Sequence, residues 1–137
     1  MRTLLLGLFL LVPVTRWALT RLTAVTVTGD SMAPTFVDGD RVLVLRVPAH
    51  RLRVSDVVVV RLPGADGPHD RPWLIKRVAA LPGDPVPAVV TPAVGDGHVP
   101  DGRLIVLSDN PTGAVDSREL GYVDADLVLG RVVKQLT

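Results

Sequence analysis

Two residues in this chain could carry covalent chemistry without help from a bound group. Ser31 lies in Gly29-Asp30-Ser31-Met32-Ala33-Pro34-Thr35, where an apolar run ends in a turn and a proline restricts the next step. A serine at the tip of such a turn exposes its hydroxyl, and its own backbone N–H is free to donate to an oxyanion. A bare serine is a poor nucleophile and needs a base beside it. On these residues alone, an ordinary Asp-Ser turn is the better reading.

The candidate base is Lys76, in Trp73-Leu74-Ile75-Lys76-Arg77-Val78. In a strand, Leu74, Lys76 and Val78 share one face, while Ile75 and Arg77 share the other. An amine held between apolar neighbours is desolvated, so its charged form is disfavoured and its pKa falls. A neutral amine can take a proton from a serine hydroxyl, which an arginine cannot do because it stays protonated. The chain has 13 Arg and only two Lys, Lys76 and Lys134, so a lysine here stands out. A strand lysine whose amine reaches water explains the same residues equally well.

A third group is Asp109-Asn110 followed by Asp116-Ser117-Arg118. It reads either as a polar hairpin turn with a surface ion pair worth ~0–1 kcal/mol, or as a scaffold in which Asp116 and Arg118 hold two loops in register beside a site.

Other chemistries find little support. His50, His69 and His98 lie among Pro, Gly, Arg or Asp in loop-like sequence, and no pair has ligand spacing. No metal site is expected. Cysteine is absent, which excludes disulfides, thiolate catalysis and cysteine-held zinc or iron–sulfur centres. The net charge is +1, and no basic run with interleaved aromatics suggests a nucleic-acid partner.

These residues need a scaffold. A length of 137 residues suits one domain, and 47% hydrophobic residues with 21% charged is enough for one core. Val and Leu dominate the apolar set, and 12 Gly and 12 Pro imply many turns. Strands are expected at Ala24–Thr28, Arg41–Arg46, Val57–Leu62, Trp73–Leu81, Val86–Thr91, Leu104–Leu107 and Leu127–Val133. The breaks between them are Gly29-Asp30, Asp38-Gly39-Asp40, Pro63-Gly64, Pro82-Gly83-Asp84, Gly95-Asp96-Gly97 and Asp109-Asn110-Pro111. The spacing argues for a mostly β antiparallel domain over 24–137, with a short helical turn at Asp124–Leu127 and an exposed loop at Gly64–Pro72.

The first 23 residues differ. Leu4–Val14 is apolar apart from Gly7 and Pro13, flanked by Arg2 and Arg16. The run is shorter than the ~20 residues of a full span. It can be extended through Trp17 and Leu22, because Arg16 and Arg21 can reach headgroups and Trp17 suits an interface. The expectation is a helical membrane anchor that contacts lipid. A cleaved secretion signal lacks an A-x-A site here, and a helix of a soluble protein is the other reading. Basic residues flank both sides, so charge does not set the orientation.

Taken together, the segments resemble the type I signal peptidase family of Ser-Lys proteases, from about Val25 to Val133. Ser31-Met32-x-Pro34-Thr35 resembles the nucleophile box, and Gly39-Asp40 with Val42 the box that follows. Lys76-Arg77 with Pro82-Gly83-Asp84 resembles the general-base box. Asp109-Asn110, Asp116-Ser117-Arg118 and Gly121 resemble the last box, and Gly130-Arg131-Val132 the closing strand. Each match is weak, but four in the family's order are strong.

The resemblance implies strongly bent antiparallel sheets and a serine endopeptidase that trims signal or leader segments from exported precursor proteins, without metal or cofactor. Ser31 would be the nucleophile and Lys76 the base. The turn of Gly29, Ser31 and Met32 would hold the oxyanion, with the Ser31 N–H as one donor. Thr26, Val27 and Thr28 would line a groove that takes an extended substrate by strand addition. Asp109, Asn110, Asp116, Ser117 and Arg118 would support the site. The family is usually a single-pass protein of the cell membrane with its catalytic side outside the cytoplasm.

Departures from the family pattern keep rivals open. Gly29 and Ala114 stand where some members carry hydroxyls, the second of them near the catalytic lysine. Ser108 stands where the last box usually begins with Gly. A soluble peptidase that matures one partner, of the kind acting on nickel-type superoxide dismutase, is one alternative. A non-catalytic peptide-binding relative is another.

Overall fold

The computed structural model describes residues 21–65 and 73–136. Most of the expected anchor, residues 1–20, lies outside the described residues, as do residues 66–72 of the expected loop, with His69. Among the described residues, no helix is long and apolar enough to cross a membrane.

Among those residues, seven strands form one antiparallel sheet. They are β1 (Leu22–Thr26), β2 (Arg41–Leu45), β3 (Val57–Arg61), β4 (Trp73–Ala80), β5 (Arg103–Leu107), β6 (Val123–Asp124) and β7 (Val128–Gln135). Their order across the sheet is β1-β2-β7-β3-β4-β5-β6. Two short helices, α1 (Thr91–Val94) and α2 (Ser117–Leu120), and two 3₁₀ turns, Ala49–Arg51 and Ala125–Leu127, join them. The second 3₁₀ turn falls where the sequence predicts a helical turn.

The core follows from the valines of β3. Four in a row, Val57 to Val60, are buried. Side chains alternate across a strand, so both faces of β3 must be covered. Val57 and Val59 join Val27, Met32, Phe36, Val42, Val44 and Ile75 in one cluster. Val58 and Val60 join Leu52, Val78, Leu104, Val106 and Val123 in another. The sheet curls to achieve this. Its register shifts at Leu43/Val44, Val59/Val60 and Val78/Ala80, and such bulges bend and twist a strand.

One expectation needs correction, and two features go beyond the sequence reading. Val86–Thr91 is not a strand. Pro85 and Pro87 cannot donate to a ladder, and the Val90 N–H closes a local turn on the Pro87 carbonyl at 2.9 Å. Val90 instead plugs a third small cluster with Ala80, Val99 and Ile105. The last strand in the chain runs between β2 and β3. Gly130 is what admits it, because a Cβ there would lie 2.3 Å from the Leu45 carbonyl oxygen. Finally, β6 and α2 were not anticipated. Both are shorter than any periodic pattern can reveal.

Candidate active site

Ser31 opens the turn that follows β1. Met32 behind it is fully buried, so the turn is pinned to the core beneath the exposed end of β1. The turn closes on itself through the Phe36 N–H and the Met32 carbonyl at 2.9 Å. Gly29, at φ 83, donates its N–H to the Asp38 carboxylate at 2.7 Å. That N–H is therefore engaged, whereas the Ser31 N–H has no acceptor among the described residues.

The turn is tied to a second loop. The Asn110 N–H donates to the Ser31 carbonyl at 2.8 Å, and the Asn110 side-chain amide donates to the Asp30 carbonyl at 3.1 Å. One residue earlier, Asp109 accepts from the Thr35 hydroxyl at 2.7 Å. Asp109 also accepts from Arg77 Nε at 2.8 Å and Nη2 at 2.7 Å. The pair Asp109–Asn110 thus joins both ends of the Ser31 turn to β4.

Lys76 sits on β4 next to Arg77 and is only 2% exposed. It faces Val58 across the β3–β4 ladder. Burial lowers its pKa; the Asp116 carboxylate opposes that shift, and Arg118 adds to it. This is a desolvated amine with one carboxylate close enough to be felt. No hydrogen bond joins the Lys76 amine to the Ser31 hydroxyl among the described residues. In enzymes without substrate, catalytic hydrogen bonds are often long and tighten only in the complex.

Asp116 is 1% exposed and caps α2. It accepts the Arg118 N–H at 3.0 Å, the Ser108 N–H at 2.8 Å and the Arg118 side chain through Nε at 2.9 Å. Burial alone would raise its carboxyl. The Arg118 guanidinium and the two N–H donors outweigh this and bring it to about 2. Ser117 is fully buried, and its hydroxyl accepts the Val106 N–H at 2.9 Å. The start of α2 therefore covers the edge of β5 beyond the reach of β6. Asp116 and Arg118 lie on one segment, so the loop they hold in register is the one entered at Ser108.

Thr26, Val27 and Thr28 divide by face. Val27 is buried in the core, and both its backbone groups are used, by the Asp40 carbonyl at 2.7 Å and the Gly39 N–H at 2.9 Å. Antiparallel ladders alternate, so the backbone groups of Thr26 and Thr28 point to the other side of β1. β1 is an edge strand of the sheet, and both threonines are exposed. The sequence reading gave no role to Arg77 or Thr35, although both stand inside the quoted motifs. Nothing in a sequence shows that two separate motifs share one aspartate.

Comparison with known proteins decides the family. The family described as "Signal peptidase, peptidase S26" matches residues 1–89 and 87–136. The chain belongs to the S26 signal peptidase family. It is 35% identical over 112 residues to "Mitochondrial ATP-independent inner membrane protease subunit 1b" of Arabidopsis thaliana, across 77% of this chain and 64% of the relative. It is 30% identical over 132 residues to "Probable signal peptidase I-1" of Synechocystis, across 77% of this chain and 66% of the relative. Against "Signal peptidase I" of Bacillus licheniformis it is 29% identical over 136 residues, across 76% and 70%. The chain thus spans just under two thirds of the first two relatives. In this S26 family member, one loop bonds both the edge-strand turn that carries Ser31 and Arg77, the neighbour of the buried strand lysine.

Proposed function

We propose that this S26 family member is a serine endopeptidase that removes signal or leader segments from exported precursor proteins, with Ser31 as nucleophile and Lys76 as general base. The observation that carries the reading is the segment Ser108–Asn110. It follows directly from β5, which pairs with the Lys76 strand, and two residues later it donates to the Ser31 carbonyl. The strand that carries the buried amine and the turn that carries the hydroxyl are thereby tied to one short loop, through Arg77 and the Ser31 carbonyl.

The chemistry follows from the parts. Lys76 takes the Ser31 proton as Oγ attacks the scissile carbonyl. The Ser31 N–H donates to the oxyanion. As the peptide C–N bond breaks, the Lys76 ammonium returns its proton to the departing amine, leaving an ester on Ser31. Lys76 then deprotonates a water that attacks this ester; the C–Oγ bond breaks, Ser31 Oγ takes the proton back from the ammonium, and the acyl fragment leaves as an acid that ionises. The substrate lies extended along the open edge of β1, where Thr26 and Thr28 offer backbone groups. The N-terminal apolar segment would hold the catalytic domain at the cell membrane, on its non-cytoplasmic side.

The test is full-length protein in detergent, offered a panel of exported precursors. Wild type cleaves at a defined bond. Ser31→Ala and Lys76→Arg do not, because arginine keeps its proton. Cleavage that survives Ser31→Ala removes the mechanism, and peptide binding without turnover by wild type assigns a non-catalytic role.

A further inference from the structure

The Ser108 hydroxyl is a buried polar atom with no hydrogen-bond partner; among the described residues only Nε of Arg131 shares that condition. Buried polar groups are nearly always satisfied, so such an orphan needs an explanation. Nothing in its own loop supplies one. The Ser108 backbone N–H is already used by Asp116 at 2.8 Å, and the side chain takes no part in that bond.

Its position in the sheet gives the explanation. The β4–β5 register pairs Arg77 with Leu107 and Val78 with Val106. Carried one residue further, it sets Ser108 opposite Lys76. The neighbouring N–H groups of Val106 and Ser108 go to Ser117 and Asp116, away from β4. Lys76 and Ser108 therefore form the type of antiparallel pair that exchanges no backbone bonds, in which side chains on one face stand closest, with Cα atoms ~4.5 Å apart. Ser108 also continues the face of Leu104 and Val106, which is the buried cluster that contains Val58 and Val78. Val58 faces Lys76 from the other side. Lys76 thus has Val58 across one ladder and Ser108 across the other, and its amine feels the Asp116–Arg118 pair.

We infer that Ser108 is a positioning residue for Lys76: its hydroxyl, unpaired in this structure, is the neutral hydrogen-bond partner that the amine takes up on its path to Ser31. This rests on the proposed Ser31–Lys76 reading and adds a member to that site. A hydroxyl suits the task because it both donates and accepts. It can receive a bond from the ammonium and give one to the neutral amine, so it steers Lys76 in both protonation states. Asp116 cannot do this, since its carboxylate only accepts and would favour the charged, inactive form.

The experiment compares wild type, Ser108→Ala, Lys76→Met and Ser31→Ala in cleavage of one precursor, with kcat and KM measured across pH. Melting temperatures accompany the kinetics. The chain has only two lysines, Lys76 and Lys134, so protein labelled with ¹³C at lysine Cε gives two signals, one of which vanishes in Lys76→Met. The expected result for Ser108→Ala is a fall in kcat on the order of tenfold or more, with KM within about twofold and the melting temperature unchanged. The Lys76 signal should titrate at lower pH than in wild type, because its ammonium has lost an acceptor. Wild-type kcat in Ser108→Ala, or an unmoved Lys76 titration, overturns the assignment while leaving the Ser31–Lys76 reading intact if those two variants are dead. Activity that persists in Ser31→Ala or Lys76→Met overturns both.

Discussion

Arg77 holds Asp109 in a fork, with Nε and Nη2 each reaching one carboxylate oxygen, at 2.8 and 2.7 Å. The same carboxylate receives Thr35 at 2.7 Å. Arg77 is adjacent to the proposed base, and Thr35 closes the turn of the proposed nucleophile. One ion pair therefore sets the distance between two elements that lie 45 residues apart in sequence. The pair is partly exposed, at 33% and 18%, so solvent screens it and its direct stability is modest. Asp109→Asn should cost about 1–2 kcal/mol in urea unfolding. Activity should fall more than that stability loss implies, by ~10–100-fold in kcat, because the Ser31 turn loses its register. Arg77→Lys should behave like Asp109→Asn, since an ammonium cannot reproduce the fork. If kcat in both variants stays within twofold of wild type, the ion pair does not position the site.

Lys76 is a cost to the fold. Burial lowers its pKa below the ordinary lysine value of 10.5. The unfolded chain therefore binds this proton more tightly than the folded one does, and the penalty is largest while the buried amine is held protonated. Lys76→Met keeps a similar shape without a charge. It should raise stability by about 1–2 kcal/mol at pH 7. The gain should shrink as pH rises through 10.5, above which the amine is neutral in both states. Cleavage should vanish at the same time. A less stable Lys76→Met at pH 7 contradicts the burial argument.

Asp116 works in the opposite sense. Its folded pKa of about 2 lies below the unfolded 3.8. Stability from this group is fully present above the unfolded value and is lost as pH falls from there through about 2. The amount is roughly 2 kcal/mol. Asp116→Asn should therefore unfold at lower urea concentration at pH 6, with the deficit narrowing by pH 2. A deficit of equal size at both pH values would assign the loss to α2 capping rather than to charge.

The sequence carried much of this because it repeats physical reasons locally. The β-branched Val57–Val60 run favours a strand, and the turn Asp38-Gly39-Asp40 leads straight into β2. The local settings of Ser31 and Lys76 were legible: the hydroxyl sits on a turn after β1, and the strand amine flanked by Leu74 and Val78 is buried. What stayed hidden was long-range. Val86–Thr91 has strand-like residues, but its prolines hand Val90 to a different cluster. The placement of β7 beside β3 depends on a carbonyl of Leu45 approaching Gly130, which no local pattern encodes. The sharing of Asp109 by Thr35 and Arg77, and the register that sets Ser108 against Lys76, exist only once the sheet has formed.

The open edge of β1 gives the last prediction. Val27 spends both backbone groups on β2 and its loop, while those of Thr26 face outward. Among the described residues nothing accepts the Thr26 N–H, which leaves it to an extended substrate, and an edge position with an outward N–H is where a strand tolerates proline. Thr26→Pro should leave the melting temperature within a few degrees of wild type. It should raise KM for a precursor peptide about tenfold, the effect of one lost bond to a charged or well-aligned partner. Val25→Pro is the control, because its N–H belongs to the β1–β2 ladder, and that variant should destabilise the fold. If Thr26→Pro unfolds as readily as Val25→Pro, the ladder phase assigned to β1 is inverted. If it folds and binds substrate as wild type does, the substrate does not add to this edge.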